Sequence, residues 1–220
     1  MKRAVLFDMF ETLITHYRTP LYFSGAMAAD AGMEEETFRA LWRATESDRT
    51  LGRLTLRQTL TDILAQRGMD DPQRVAAMVQ KRTEIKEQLF AHLHPGILPL
   101  LQQLQQRGIQ IGLVSNCFDE EAAVIRRSCL MPYFGSLCLS CELGVAKPDR
   151  AIFTRCLEQL QVSPEDCLYV GDGGSRELET AQALGMQPLQ ALWYLPDGAP
   201  ISPNRAFPGL HDPLQVLNHL

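Results

Sequence analysis

Three polar residues of this sequence each follow a short apolar run: Asp8 after Ala4-Val5-Leu6-Phe7, Ser115 after the run 109–114, and Asp172 after Cys167-Leu168-Tyr169-Val170 and Gly171. A carboxylate can attack an electrophile or offer a hard oxygen, and a hydroxyl can donate to an anionic oxygen. Short apolar runs ending this way read as buried parallel strands. In an open parallel sheet, ligands bind outside the carboxyl ends of the strands. Three strands therefore deliver a carboxylate, a hydroxyl and a carboxylate to one edge.

The elements that must position these groups alternate. After Pro95-Gly96, an amphipathic helix over about 98–106 closes at Gly108, and a strand over 109–114 follows. Further helices are expected at 120–128, 149–160 and 177–184, further strands at 136–140, 167–170 and 189–194, and a short helix from Pro213. Strands alternating with helices imply right-handed crossovers and a doubly wound parallel sheet, an α/β fold. Residues 195–209 are rich in Pro and Gly and read as irregular.

The stretch between the first strand and Pro95 differs in character. Acids at Glu34, Glu35 and Glu36 precede Phe38, Leu41 and Trp42 at helical spacing; Leu54, Leu56, Leu60, Ile63 and Leu64 mark a second helix ended by Gly68; Val75, Met78, Val79 and Ile85 mark a third. With no strand pattern among them, these residues read as a helical insert. Residues 1–16 and 91–220 are expected to form the α/β core, and 17–90 a small all-helical domain.

Composition narrows the partners. The 220 residues are 45% hydrophobic and carry a formal net charge of -5, which excludes a mainly disordered chain and gives no general attraction to nucleic acid or an anionic membrane. The run after Lys2-Arg3 is broken at Asp8, too early for a secretory signal, and no segment is apolar enough for a membrane span. These features point to a cytosolic protein. Six cysteines read as reduced core thiols, since the single CxxC of Cys138 and Cys141 has no second pair to complete a zinc site.

Four motifs in order carry a resemblance. FDMFETL (7–13), LVSN (113–116), GVAKPD (144–149) and YVGDGGSRE (169–177) are similar to the four motifs of the haloacid dehalogenase-like hydrolase superfamily, and the helical insert resembles the cap that many members place between the first two. The resemblance implies a Rossmann-like core with a helical cap. It implies Asp8 as a nucleophile forming an aspartyl intermediate. Lys147 is implied as the cation that stabilises nucleophile and transferring group, with Ser115 hydrogen-bonding a phosphate oxygen, Asn116 orienting substrate or loop, and Thr12 supporting the turn after Asp8. A Mg²⁺ ion is implied between Asp8, the Phe10 backbone carbonyl, Asp172 and Glu177, the last acting directly or through water. The implied partner is a small phosphorylated metabolite. Arginines 39, 43, 49, 53 and 57 of the insert are available to an anionic substrate or to solvent.

One position departs from the family. Its phosphatases carry a second Asp two residues after the nucleophile as general acid and base, and here Phe10 stands there. Such catalysis is typically worth ~10²–10⁴ in rate. The leading expectation is still a Mg²⁺-dependent phosphatase, acting on a good leaving group such as an acyl phosphate or through a surrogate at Glu11 or His16. The alternatives are a 2-haloacid dehalogenase, whose halide needs no protonation, and a catalytically weak member that binds a metabolite or a protein.

Overall fold

The computed structural model describes residues 2–69, 71–195 and 203–220. Its sheet has strands β1 (Ala4–Phe7), β2 (Gln110–Ser115), β3 (Ser136–Leu139), β4 (Cys167–Gly171), β5 (Gln187–Ala191) and β6 (Gly209–Leu210), in the order β3-β2-β1-β4-β5-β6. Every pairing is parallel. The chain winds outward from β1 to β2 and β3, then returns to β4 on the other side. The topological switch therefore lies between β1 and β4, where Phe7 pairs with Val170.

Side-chain alternation builds a core on each face. Val5, Phe7, Leu113, Leu168 and Val170 belong to one apolar cluster, and Ala4, Leu6, Val114 and Tyr169 to the other. All four residues of β1 are completely buried, which fixes register, because a slip of one residue would exchange the two faces.

The helices are α1 (Ser24–Ala31), α2 (Glu35–Ala44), α3 (Glu46–Thr50), α4 (Leu56–Ala65) and α5 (Pro72–Gln88) in the insert, then α6 (Ile97–Gln106), α7 (Asp119–Arg127), α8 (Ser140–Leu143), α9 (Arg150–Leu160) and α10 (Glu177–Leu184) around the sheet. Local chemistry starts the insert's helices. Glu34 accepts from the Glu36 and Thr37 amides, Thr55 and Gln58 cap α4 reciprocally, and Asp71 caps α5 ahead of Pro72. These helices pack around a separate apolar cluster that includes Met27, Phe38, Leu56, Leu60, Ile63 and Val75.

Buried ion pairs join the insert to helix α7 of the α/β core. On α5, Arg82 bonds Glu120 and Lys86 bonds Glu121, both at 2.6 Å, and all four side chains are at most 7% exposed. The acids occupy the first turn of α7, where the helix dipole favours them.

Four elements differ from expectation. Helix α1 escaped because its sequence, SGAMAADA, is small and weakly patterned. The strand expected at 189–194 runs instead over Gln187–Ala191. The aromatic residues beyond it turn back onto the loop after β1: Trp193 Nε1 donates to the Thr12 carbonyl at 2.9 Å, and Tyr194 OH donates to the Leu13 carbonyl at 3.3 Å. The stretch expected to be irregular (195–209) reaches β6 at its end, and its residues 196–202 lie outside those described. The expected terminal helix is a 3₁₀ helix, Pro213–His219. No helix among the described residues is long and apolar enough to cross a membrane.

Candidate active site

Asp8 and Asp172 stand at the carboxyl ends of the neighbouring central strands β1 and β4. The Asp8 amide donates to the Val170 carbonyl at 2.9 Å, which continues the ladder one step past β1. Oxygens of Asp8, Asp172 and Glu177 lie within 4.8 Å of one another, and all three residues are buried. The switch point and the acid cluster coincide.

Lys147 sits among these acids. Its Nζ is 2.5 Å from Asp8 Oδ1 and 2.6 Å from Glu177 Oε2, with Tyr169 OH at 3.4 Å. The lysine comes from the loop before α9, and Asn116 holds that loop in place. The Asn116 side chain accepts from the Lys147 amide at 2.8 Å and donates to the Lys147 carbonyl at 3.0 Å. Asn116 thus ties the loop after β2 to the lysine.

Glu177 opens α10 and points back under β4. Its Oε2 accepts from Tyr169 OH at 2.8 Å as well as from Lys147, and its Oε1 accepts from the Gly173 amide at 3.1 Å. Gly171 makes room for it, since a Cβ there would lie 2.0 Å from Oε1. Gly173 has φ +100, a backbone that favours glycine, and it lets the chain bend while Asp172 Oδ1 accepts from the Gly174 amide at 2.8 Å. Tyr169 was not singled out in the sequence. Its signal was a phenol inside a strand buried on both faces, which needs a polar partner.

Electrostatics follow from the crowding. Burial, and then the charge of Glu177, lift the Asp8 carboxyl to about 7 against the pull of Lys147. Burial and the charges of Asp8 and Glu177 lift Asp172 to about 8. Burial alone would lower the Lys147 ammonium, but Asp8 and Glu177 reverse this and hold it above its ordinary value. When ionised, Asp8, Asp172 and Glu177 carry three negative charges against one on Lys147. Two negative charges remain, the complement of one divalent cation, and the donors are the hard oxygens that Mg²⁺ takes.

The other expected residues are placed as follows. Ser115 is fully buried at the end of β2, its Oγ 3.5 Å from the Asn116 carbonyl. Thr12 differs from expectation: its buried hydroxyl has no hydrogen-bond partner among the described residues. The turn is instead held through the Thr12 carbonyl by Trp193, so the indole does the work assigned to the hydroxyl. The Phe10 ring stacks on His16, with centroids 5.1 Å apart, and the Lys86 ammonium lies 5.4 Å from the Phe10 ring centre. Glu11, at φ 56, turns its carboxylate to Thr15, to the His16 amide and to His16 Nδ1 at 2.9 Å. His16 Nε2 faces Lys86 Nζ at 2.8 Å. Of the insert's arginines, Arg49 is buried, its guanidinium between the rings of Trp42 and Phe118.

Comparison with known proteins agrees with this architecture. Residues 2–185 match a family of hydrolases described as haloacid dehalogenase-like hydrolase. Glyceraldehyde 3-phosphate phosphatase of Methanopyrus kandleri is 29% identical over 206 residues, covering 84% of this chain and 82% of that protein. Phosphoglycolate phosphatase of Xanthomonas campestris pv. campestris is 28% identical over 208 residues, covering 91% and 88%. Among solved structures, 2-haloacid dehalogenase from Pseudomonas syringae pv. Tomato superposes with a TM-score of 0.76 at 22% identity, covering 99% of this chain and 97% of that one. An enzyme from Bacteroides thetaiotaomicron, in complex with magnesium and inorganic phosphate, superposes at 0.64 with 20% identity, covering 87% and 94%. These two likenesses are of fold. With a doubly wound sheet, an acid cluster at its switch point and a family match over most of its length, the chain belongs to the haloacid dehalogenase-like hydrolases.

Proposed function

We propose that the chain is a Mg²⁺-dependent phosphatase of a small phosphorylated metabolite, with Asp8 as its nucleophile. The observation that carries this reading is the charge balance around Lys147: three clustered, buried carboxylates, two of them paired with its one ammonium, leave two negative charges, which a divalent cation matches. Asp8, Asp172 and the Phe10 carbonyl would hold the ion, with Glu177 beside it. Bound there, the ion would polarise the phosphoryl oxygens and offset their repulsion from the carboxylates.

The chain's own groups then have distinct tasks. One Asp8 oxygen attacks phosphorus, and the bond to the leaving oxygen breaks, giving an aspartyl-phosphate. Lys147 keeps Asp8 oriented and stabilises charge in the transferring group. The Ser115 hydroxyl donates to a phosphate oxygen, and Asn116 keeps Lys147 in place. Thr12, whose hydroxyl has no partner among the described residues, is a further donor for the bound substrate. Water then hydrolyses the acyl phosphate, which frees phosphate and restores Asp8. Residues 17–90 act as a cap, held to the core by Arg82–Glu120 and Lys86–Glu121, and the cap excludes bulk water.

Phe10 narrows the substrate. Its ring cannot protonate a leaving alcohol, so leaving groups of low basicity, such as acyl phosphates, are favoured. The two phosphatase relatives act, by their names, on glyceraldehyde 3-phosphate and phosphoglycolate, which supports a small metabolite. A second reading, dehalogenation, is favoured by Phe10 alone, because halide leaves without a proton. Asp172 opposes it, since that chemistry has no use for a cation beside the nucleophile.

The test is a hydrolysis screen of phosphate esters, acyl phosphates and 2-chloropropionate, with Mg²⁺ or EDTA and with Asp8→Asn as control. Phosphate release abolished by both EDTA and Asp8→Asn is expected. Halide release indifferent to EDTA would establish the second reading instead.

A further inference from the structure

Six cysteines run through the chain, and all are free thiols. Cys138, Cys156 and Cys167 are fully buried, and Cys129 is exposed. Cys117 and Cys141 form a distinct pair. Their sulfurs lie 3.8 Å apart; Cys117 is 2% exposed, whereas Cys141 is half-buried.

The backbones around this pair are tied together. The Cys117 amide donates to Ser140 Oγ at 3.0 Å, and Ser140 Oγ donates to the Cys117 carbonyl at 3.2 Å. An S–S bond is about 2.05 Å long, so side-chain rotation with a small backbone shift brings the sulfurs together. The pair also has consequential neighbours. Cys117 is two residues past Ser115, between Asn116, which holds Lys147, and Phe118, whose ring covers Arg49. On the other side, a Cβ on Gly52 of the insert would lie 1.8 Å from the Cys141 carbonyl oxygen, so the insert's turn rests directly on Cys141.

We infer that Cys117 and Cys141 are an oxidative modification site, joined by a low-molecular-weight disulfide such as oxidised glutathione into a bond that pulls on the loop after β2 and stops turnover. The loss of turnover rests on the function proposed above; the bond itself does not. Cys141, with its access to solvent, attacks one sulfur of the oxidant, forming a mixed disulfide and releasing one thiol. Cys117 then attacks the Cys141 sulfur, the intramolecular bond forms, and a second thiol leaves. The two protons lost by the cysteines end on the two released thiols, and the oxidant takes both electrons. The contact with Cys141, and then burial, hold the Cys117 thiol well above its ordinary range, so it is the resolving partner rather than the entry point.

The test treats the whole chain, carrying Cys129→Ser to remove the exposed thiol, with oxidised glutathione, then alkylates, digests and maps it. A peptide joining Cys117 to Cys141 is expected, with a mass loss of two hydrogens, reversal by dithiothreitol, and absence from Cys141→Ser. Glutathione adducts without this bond, or linkage among other cysteines, would overturn the assignment. Phosphate release should fall at least about tenfold on oxidation and stay unchanged by the same treatment in Cys141→Ser. The joined peptide with undiminished turnover would overturn the effect on activity. If the untreated chain releases no phosphate from any substrate, the function proposed above fails, while the peptide map still decides the bond.

Discussion

Gly171 and Glu177 are matched: the Cβ that glycine lacks would stand 2.0 Å from Glu177 Oε1, the oxygen that accepts the Gly173 amide. The strand end is therefore cut to admit a carboxylate, and that carboxylate in turn supports Lys147. Gly171→Ala should push Glu177 out of register with the lysine. Overpacking of this kind costs about 1–3 kcal/mol, and a melting midpoint lowered accordingly, with phosphate release reduced more than tenfold, is the expected result. Unchanged stability and turnover would show that the close fit is dispensable.

Lys147 supplies the second prediction. Its Nζ is paired with Asp8 and Glu177, and its side chain is 3% exposed. Breaking a buried pair by removing one partner typically costs about 3–5 kcal/mol, because charge is left uncompensated. Lys147→Met should reach that range and abolish turnover. Lys147→Met with Glu177→Gln should recover part of the stability and none of the activity. Denaturant unfolding of the two variants, set beside phosphate release, separates these outcomes, and recovered activity in the double variant would remove Lys147 from the chemistry.

The third prediction concerns pH. Asp8 and Asp172, lifted to about 7 and about 8, lie above the ordinary carboxylate value near 3.9. Without a cation, each carboxyl therefore stabilises the fold fully below about pH 4, and that contribution is lost as pH rises through 7 and 8. A bound cation must displace those protons, so apparent Mg²⁺ affinity should tighten with pH between 6 and 8, by about tenfold per pH unit for each proton displaced. Melting curves at pH 6 and 8.5, with and without Mg²⁺, should show a fall in stability with pH that Mg²⁺ reverses most at the higher pH. An equal Mg²⁺ effect at both would contradict it.

Much of this architecture is legible in the sequence because burial and backbone geometry leave a local trace. Apolar runs ending at Asp8, Ser115 and Asp172 locate the strands, since parallel strands buried on both faces require such runs. Phe38, Leu60 and Val75 locate the insert's helices by their spacing. The parts not legible depend on partners distant in sequence. Arg82 and Lys86 look like ordinary polar positions on α5, and only folding sets them against Glu120 and Glu121. Thr12 invites a capping role by its position, yet Trp193, 181 residues away, makes the contact. Glu177 illustrates both cases: its place in the fourth motif is readable, but its bonds to Tyr169 and Lys147 arise only from the curl of the chain after Gly173.

The last prediction restores the group this chain lacks. Phe10→Asp places a carboxylic acid two residues beyond the nucleophile, where a leaving oxygen could receive its proton. General acid help is typically worth ~10²–10⁴ in rate and matters most for basic leaving groups. The ratio of kcat/KM for an alkyl phosphate to that for an acyl phosphate should therefore rise about tenfold or more over the parent, while Phe10→Asn, with no proton to give, should leave the ratio unchanged. Both variants lose the stack on His16 and the contact with Lys86, so both should lose stability to a similar degree, and the comparison between them isolates the proton. If Phe10→Asn raises the ratio as much as Phe10→Asp, the ring limits substrate by its bulk and not by its inability to donate. If neither does, then a group already present, with His16 the nearest candidate by virtue of its stack on Phe10, supplies the proton in the parent chain, and His16→Gln should then lower alkyl phosphate hydrolysis selectively.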